Sequence, residues 1–231
     1  MTNILAVDTT TSLCSAALHI DNKLIKKYVL AEKNHTKLIL PMIDEILSES
    51  GLNLKQINYI AFTAGPGSFT GIRIGFGIVQ GLAFGADIPV LPVSSLETLA
   101  YTAIRKLKIK DNLSIIPTID ARMNEIYWAK FTLKSGVLER VEPDRVSALE
   151  ELRAAIEIPG IVVGNGVEHH DQTLIDVLDS GCTPMFPEAE DIFNIAQLQI
   201  DKGYEIDVIN ARPVYVRNTL TWKKRKKLRS T

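Results

Sequence analysis

One segment of the 231-residue chain, from Gly71 to Gly85, restricts the folds that the sequence can adopt. It is apolar on almost every side, and its five glycines form two rows with a spacing of four residues, Gly71/Gly75 and Gly77/Gly81/Gly85. Residues four apart lie on the same face of a helix, so each row predicts a groove. An interior glycine costs a helix about 1 kcal/mol relative to alanine. The sequence therefore predicts a helix that another backbone approaches closely.

Two explanations of this helix remain open. A soluble helix that is apolar all round is buried on several sides, so the segment can be enclosed by its own sheet and a neighbouring helix. Alternatively, it joins a helix bundle with a second protein molecule, with the helix Leu38–Leu47 as the other contributor. The second explanation predicts an interface formed by Leu38, Ile39, Met42, Ile43, Ile46, Ile72, Gly75, Phe76, Val79, Gly81 and Leu82.

The hydrophobic pattern of the first hundred residues predicts an α/β unit. The predicted strands are Ile4–Asp8, Leu13–Ile20, Lys23–Ala31, Tyr59–Thr63 and Pro89–Val93, and the predicted helices are Leu38–Leu47, Phe69–Gly85 and one that begins near Ser95. Three strands followed by alternating helices and strands are typical of ribonuclease-H-like domains.

A strand pair that starts again after a basic, turn-rich segment predicts a second unit. Its elements are strands at Leu113–Asp120, Glu125–Leu133 and Ile161–Val163, and helices at Ala148–Glu157, Gln172–Leu178 and Ile192–Lys202. We predict an N-terminal ribonuclease-H-like domain over residues 1–106, a smaller one over residues 107–222, and a basic, disordered tail over residues 223–231.

The charge of the chain is unevenly distributed. The formal net charge is −1, but six of the last nine residues are lysine or arginine, so residues 1–222 carry about −7. Such a body does not favour nucleic-acid binding. The tail is the one place where contact with nucleic-acid phosphates is expected, although a solvated extension is the commoner explanation of a terminal basic run.

The remaining composition indicates a cytoplasmic protein without a metal or redox site. Cys14 and Cys182 lie far apart and match no metal-binding or disulfide spacing. The N-terminus enters an apolar strand without a signal-peptide pattern, and the longest apolar stretch, Ile74 to Ala86, is shorter than the ~20 residues of a membrane span. We expect no membrane contact.

Two turns are candidates for a vestigial nucleotide site. Asp8, Thr9 and Thr10 follow the first strand, and Gly65, Gly67 and Ser68 precede the glycine-rich helix, whose N-terminal amides could receive an anion. There is no Walker ending, and a tight strand-to-helix turn is the favoured explanation of the second segment. No metalloprotease, serine-hydrolase or paired-cysteine motif is present.

Several strings together resemble the TsaB family, also called YeaZ. They are Ile4 to Thr10, His35-Thr36 with Leu40 to Ile43, Gly65 to Gly75, Ile119 to Met123 and Pro213 to Asn218. The resemblance implies a two-domain actin/Hsp70-like (ASKHA, ribonuclease-H-like) fold and a non-catalytic homologue of the catalytic subunit TsaD. Where TsaD-like proteins carry two metal-binding histidines, this chain has Ser95 and Leu99. Neither replaces a histidine ligand well.

The same resemblance implies partners and a function. TsaB-type proteins pair with TsaD through a helix bundle, the ATPase TsaE docks on the pair, and threonylcarbamoyl is transferred to adenosine 37 of tRNAs that read ANN codons. We expect a homodimer when the chain is alone, tRNA contact mainly through the complex, no catalytic residue, and no cofactor except ATP or ADP at the subunit junction. The alternatives are an actin-fold ATPase or sugar kinase that uses Asp8 and the Gly65–Ser68 turn, and a peptidase.

Overall fold

The computed structural model describes residues 2–21, 23–31, 33–156, 160–167 and 182–217. The predicted helix at Gln172–Leu178 and the tail over residues 223–231 lie outside these ranges.

Five strands form the first sheet: β1 Ile4–Asp8, β2 Leu13–Ile20, β3 Lys23–Leu30, β4 Tyr59–Gly65 and β5 Val90–Ser94. Their order is β3-β2-β1-β4-β5. The first three strands are antiparallel neighbours, whereas β4 pairs parallel with both β1 and β5. All five strands lie close to their predicted positions, because alternating apolar residues and polar turns are local signals.

The second sheet repeats this plan with β6 Ser114–Asp120, β7 Ile126–Lys134, β8 Val137–Ser147, β9 Gly160–Gly164 and β10 Cys182–Thr183. The order β8-β7-β6-β9-β10 again places two antiparallel strands and two parallel strands around the first strand of the unit. Two sheets of this order form the actin/ribonuclease-H-like fold that the sequence predicts. The pattern does not predict β8, an edge strand that is mostly exposed and contains Pro143.

The helices are α1 His35–Ser50, α2 Phe69–Ala86, α3 Ser95–Leu107, α4 Leu149–Ala155 and α5 Ile192–Asp201. The glycine-rich segment is therefore helical, as predicted. The Ser68 side chain caps α2 by accepting a hydrogen bond from the Gly71 amide, and Asp87 ends the helix in a left-handed conformation. The predicted kink at Pro41 falls inside α1, which continues for nine more residues to Ser50.

Each face of the first sheet has its own core. Leu5, Val7 and Leu18 belong to a buried cluster with Ile39, Ile43 and Ile46 of α1 and Val79 and Ala83 of α2. Ile4, Ala6 and Leu91 pack instead with Ile192, Ile195 and Ala196 of α5. The alternation of side chains along each strand produces this separation. Residues 189–211 thus pack against the first sheet, although the sequence assigned them to the second unit.

Helix α3 links the two sheets. Its Leu96 and Leu99 lie in the core of the second sheet with Ile115 and Phe131, while its Tyr101 packs against the α5 side of the first sheet. The two sheets and α3 together position the loops after β1, β4 and β6 and the start of α2.

Candidate functional site

The glycines of α2 fall into two groups with different surroundings. Gly71 and Gly75 are buried against the turn after β1. A methyl group on Gly71 would lie 2.1 Å from the Thr9 carbonyl oxygen, and one on Gly75 would lie 2.4 Å from Thr9 Oγ1. These two glycines are required by contact within the chain, so the intramolecular explanation accounts for the first row.

The second group lies on an uncovered face. Among the described residues, nothing lies within 4 Å of where a methyl group on Gly77, Gly81 or Gly85 would be. Phe84, on the same side of the helix, is 70% exposed, and Ile74 and Ile78 are half-buried. Only five of the eighteen residues of α2 are buried. We call Ile74, Gly77, Ile78, Gly81, Phe84 and Gly85 the open face of α2.

Among the described residues, α2 is the single helix whose length and apolar composition would allow it to cross a membrane. One helix of this kind is weak evidence for a membrane segment. Its buried side packs on the first sheet through Val79 and Ala83.

The turn after β1 is joined to the start of α2 by short hydrogen bonds. Thr9 Oγ1 donates to the Gly71 carbonyl oxygen at 2.7 Å, and the Ser68 amide donates to the Thr10 carbonyl oxygen at 2.7 Å. A methyl group on Gly67 would lie 2.4 Å from the same Thr10 oxygen. The two turns therefore touch each other directly.

The contact between the two turns bears on whether a nucleotide phosphate could lie between them. The Ser68 amide is bonded to Thr10, and the Gly71 amide is bonded to Ser68 Oγ. At Gly65, a methyl group would lie 2.4 Å from the Val214 carbonyl oxygen. The Ser68 and Gly71 amides and the space between the two turns are thus taken up by contacts within the chain.

Asp8 is the buried acid at the centre of this arrangement. Its Oδ1 accepts hydrogen bonds from the Thr10 amide at 2.7 Å and the Thr10 hydroxyl at 2.9 Å. Its Oδ2 and the hydroxyl of the neighbouring Thr63 are both buried. Burial raises the pKa of Asp8 from 3.8 to about 6, although the hydrogen bonds from Thr10 and the interaction with Thr63 lower it in part. Asp8 therefore serves as a buried support of the turn.

Comparisons with known proteins agree with this geometry. A family model described as "TsaD: tRNA N6-adenosine threonylcarbamoyltransferase" matches residues 23–177. The tRNA threonylcarbamoyladenosine biosynthesis protein TsaB of Escherichia coli is 39% identical over 228 residues, which are 96% of this chain and 97% of that protein. The TsaB of Bacillus subtilis is 34% identical over 179 residues, or 76% of each chain.

The chain belongs to the TsaB family. A solved structure of YeaZ from Pseudomonas aeruginosa superimposes with a TM-score of 0.80 at 32% identity and covers 93% of this chain and all of that one. The resemblance inferred from the sequence strings is thus confirmed.

The TsaB-family chain buries most of the residues that the sequence assigned to its interface. Ile39, Met42, Ile43, Ile46, Ile72, Gly75 and Val79 are buried within the chain. Leu38, Phe76 and Leu82 are half-buried, and Gly81 is exposed. These buried residues are covered by other parts of their own chain and cannot contact a partner in this conformation, which corrects the prediction for them. Apolar residues at helical spacing mark the side of a helix that packs into the core. The sequence pattern therefore selected the buried side of these helices and not the exposed one.

The positions that correspond to the TsaD histidines are part of the TsaB-family core. Ser95 and Leu99 are both fully buried in α3, and Leu99 packs with Ile115 and Phe131. Within the ranges that the structure describes, no three histidine, cysteine, aspartate or glutamate side chains are grouped as metal ligands.

Residues 213–217, which we call the strap, form a contact that sequence patterns did not predict. The Val214 amide donates to the Ala64 carbonyl oxygen at 2.8 Å, and the Arg217 guanidinium pairs with Glu125 at the start of β7. The strap therefore joins the first sheet of this TsaB-family chain to the second. Its only sequence signal was the family-like string Pro213 to Asn218.

Proposed function

We propose that this chain is a non-catalytic scaffold subunit that activates threonylcarbamoyl transfer to adenosine 37 of tRNAs that read ANN codons. It does so by pairing with a TsaD-type catalytic subunit. The names of its relatives support the pathway, and the TsaD description of the matching family model supports common ancestry of the two subunits.

The open face of α2 is the observation that carries the pairing. Small residues allow two helix backbones to approach closely, and side chains missing from Gly77, Gly81 and Gly85 leave a groove for that purpose. The exposed ring of Phe84 would be removed from water in such a contact. Exposed helix-interior glycines have no use within the chain, since each lowers helix stability.

Two features favour a supporting role over catalysis. The positions of the TsaD metal ligands are occupied by Ser95 and Leu99, and the two candidate phosphate turns are packed together. Thr9 Oγ1 donates to the Gly71 carbonyl oxygen and Asp8 Oδ1 accepts from the Thr10 amide, so these two groups orient the chain's own backbone. A TsaB-type subunit of this design would leave the transfer reaction to its partner.

The remaining parts of the proposal concern self-association, the other partners and the location. When alone, the chain would pair with its own copy, because a face that fits a homologue can accept a sister molecule. Homodimer and heterodimer would then exclude each other. TsaE would dock on the heterodimer, tRNA would be bound mainly by the complex, and the location would be the cytoplasm.

Gly81→Leu is the direct test of the open face. Its side chain projects into open space, so the variant should fold and should gain roughly 1 kcal/mol of helix stability. It should nevertheless lose co-purification with the TsaD-type subunit, because the added side chain fills the groove. Ala154→Leu places the same leucine side chain at an exposed position of α4 and should still pair.

Retained pairing by a folded Gly81→Leu chain would contradict the interface. The pathway is tested separately by depleting the protein in cells and measuring tRNA nucleosides by mass spectrometry. An unchanged level of threonylcarbamoyladenosine would refute the proposed function itself.

A further inference from the structure

A row of arginine and aromatic side chains lies at the N-terminal end of α2, beside the open face. The Arg73 guanidinium stacks on the ring of Phe69, with 3.7 Å between the guanidinium carbon and the ring centre. The rings of Phe69 and Tyr215 are 5.6 Å apart, and Arg73 Nε lies 3.3 Å from the Tyr215 hydroxyl. Phe69 and Tyr215 are 52% and 43% exposed, so the stack remains open to solvent.

The strap continues this row to the turn between β6 and β7. Arg217 Nη2 lies 3.5 Å from the Arg122 carbonyl oxygen, and Arg217 Nη1 lies 3.8 Å from the Met123 sulfur. At the tip of the turn, Met123 is 64% exposed and the Arg122 side chain is 83% exposed, with its Nε 3.6 Å from Asp120. We call Phe69, Arg73, Arg122, Met123 and Tyr215 the arginine–aromatic strip.

The turn that presents Arg122 and Met123 is strained. Arg122, Met123 and Asn124 have φ values of 64°, 60° and 60°, so three consecutive residues other than glycine are left-handed. Such conformations cost free energy and persist where the surrounding structure enforces them, often at functional sites. Here the result is an arginine and a methionine that point away from the core.

The chemistry of the strip favours a polyanion with flat, stackable groups. Aromatic rings and guanidinium planes stack on unpaired bases, and arginines contact the phosphates between them. The body of the chain is acidic, whereas six lysines and arginines follow the strap within residues 223–229. Positive charge is therefore concentrated in the part of the sequence that leads out of the strip. An acidic protein partner would account for the arginines but would not require the open aromatic rings.

We propose that the arginine–aromatic strip contacts an unpaired segment of the tRNA substrate. This inference rests on the proposed function and adds a direct contact between the scaffold subunit and the RNA.

The test measures binding of a fluorescent, unmodified transcript of a tRNA that reads ANN codons. Anisotropy is followed at several salt concentrations, with the free chain and with its complex with the TsaD-type subunit. The double variant Arg73→Ala/Arg122→Ala should weaken binding about tenfold or more and reduce the slope of log K against log salt by roughly 1.5, since each phosphate contact contributes about 0.7 to 0.9. Phe69→Ala should weaken binding roughly 5- to 100-fold with little change in slope.

Arg145→Ala is the matched control, because Arg145 also lies over an aromatic ring, that of Trp128, at 5.8 Å. It removes the same charge from β8, outside the strip, and should leave binding within twofold. A chain that ends at Asn218 lacks the basic tail and therefore measures tRNA binding without it. In this shortened chain, Phe69→Ala should still weaken binding.

Three results would overturn the inference. They are no binding of the tRNA by either form of the protein, equal losses for Arg145→Ala and the strip variants, or a loss that follows the tail alone while the strip variants bind normally. Co-purification with the TsaD-type subunit distinguishes these three results from a failure of the proposed function. Strip variants that pair normally but bind tRNA unchanged would refute only the strip.

Discussion

Thr9 explains why two glycines stand at the start of α2. Its carbonyl oxygen and its hydroxyl occupy the places where side chains of residues 71 and 75 would begin. Thr10 plays the same part for Gly67, and Asp8 holds Thr10 through two hydrogen bonds. Three residues, the last of β1 and the two that follow it, therefore help to fix where α2 begins and which of its sides faces inward.

The ionisation of Asp8 should make stability depend on pH. Burial raises the pKa of Asp8 in the folded chain to about 6, so the folded state binds this proton more tightly than the unfolded state does. The stabilising contribution is complete below about pH 3.8 and is lost as the pH rises through 6. Asp8→Asn keeps an oxygen for Thr10 and removes the charge. We expect it to stabilise the chain by about 2 kcal/mol more at pH 8 than at pH 4.

Urea denaturation of both chains across this pH range measures the difference. Asp120→Asn is the control, because Asp120 ends β6 as Asp8 ends β1 and accepts from the Arg122 amide, but is half-buried. A stability difference between the Asp8→Asn chain and the native chain that does not change with pH would show that Asp8 does not titrate in this range.

At the scale of the element, α2 carries two rows of glycine with opposite roles. The row of Gly71 and Gly75 lets the helix touch the turn after β1, and the row of Gly77, Gly81 and Gly85 leaves its outer side bare. The first row belongs to the fold, and the second has no contact within the described chain. The explanation within the chain therefore accounts for the first row, and the explanation through a partner molecule stays a prediction for the second.

Two alanine substitutions in α2 should have opposite effects on stability. Gly75→Ala places a methyl group 2.4 Å from Thr9 Oγ1, and such overpacking should cost about 1–3 kcal/mol. Gly81→Ala meets no neighbour and should stabilise the chain by roughly 1 kcal/mol through helix propensity. Thermal and urea unfolding measure both.

These two variants serve as controls for each other, since they make the same chemical change in one helix. Equal changes in stability would mean that Thr9 yields to the added methyl group and does not fix the position of the helix. A substitution at Gly75 is for this reason a poor test of pairing, whereas one at Gly81 is a clean test.

At the scale of the whole molecule, an ion-pair network anchors the segment just before α5 to α3 and to β3 of the first sheet. Arg105 of α3 donates to Asp191 at 2.9 and 2.8 Å and to Glu188 at 2.6 Å. Thr102 donates to Asp191 at 2.7 Å, and Lys26 of β3 pairs with Glu190 at 2.6 Å. The acids lie just before α5, so the network sets where that helix docks.

Arg105→Met should loosen this docking. It leaves Asp191 and Glu188, which are almost fully buried, with fewer partners. We expect a loss of roughly 2 kcal/mol, below the 3–5 kcal/mol of a fully buried pair because the Arg105 side chain is partly exposed. Burial alone would raise the pKa of Glu188, but hydrogen bonds from Lys106 and Arg105 outweigh it and hold that pKa below 4.5.

The effect of Arg105→Met should therefore be full above pH 4.5 and should shrink as the pH falls through the lowered pKa of Glu188. Urea unfolding and hydrogen exchange of the α5 amides measure it. Arg145→Met removes an exposed arginine that pairs with Glu142 at 2.6 Å and should cost less than about 1 kcal/mol. Equal losses for the two variants would contradict a special role of the network.

The sequence by itself determined the elements of the first sheet, the helical state of the glycine-rich segment and the family. These follow from local signals: alternation in strands, a 3.6-residue period in helices, turn residues and diagnostic strings. Only the tertiary structure decided which side of α2 is open and where residues 189–211 pack. Periodicity shows that a helix has an apolar stripe but not what covers it. Thr9 and Gly75, or Arg105 and Asp191, meet only after the whole chain has folded, and no pattern within a short window encodes such distant contacts.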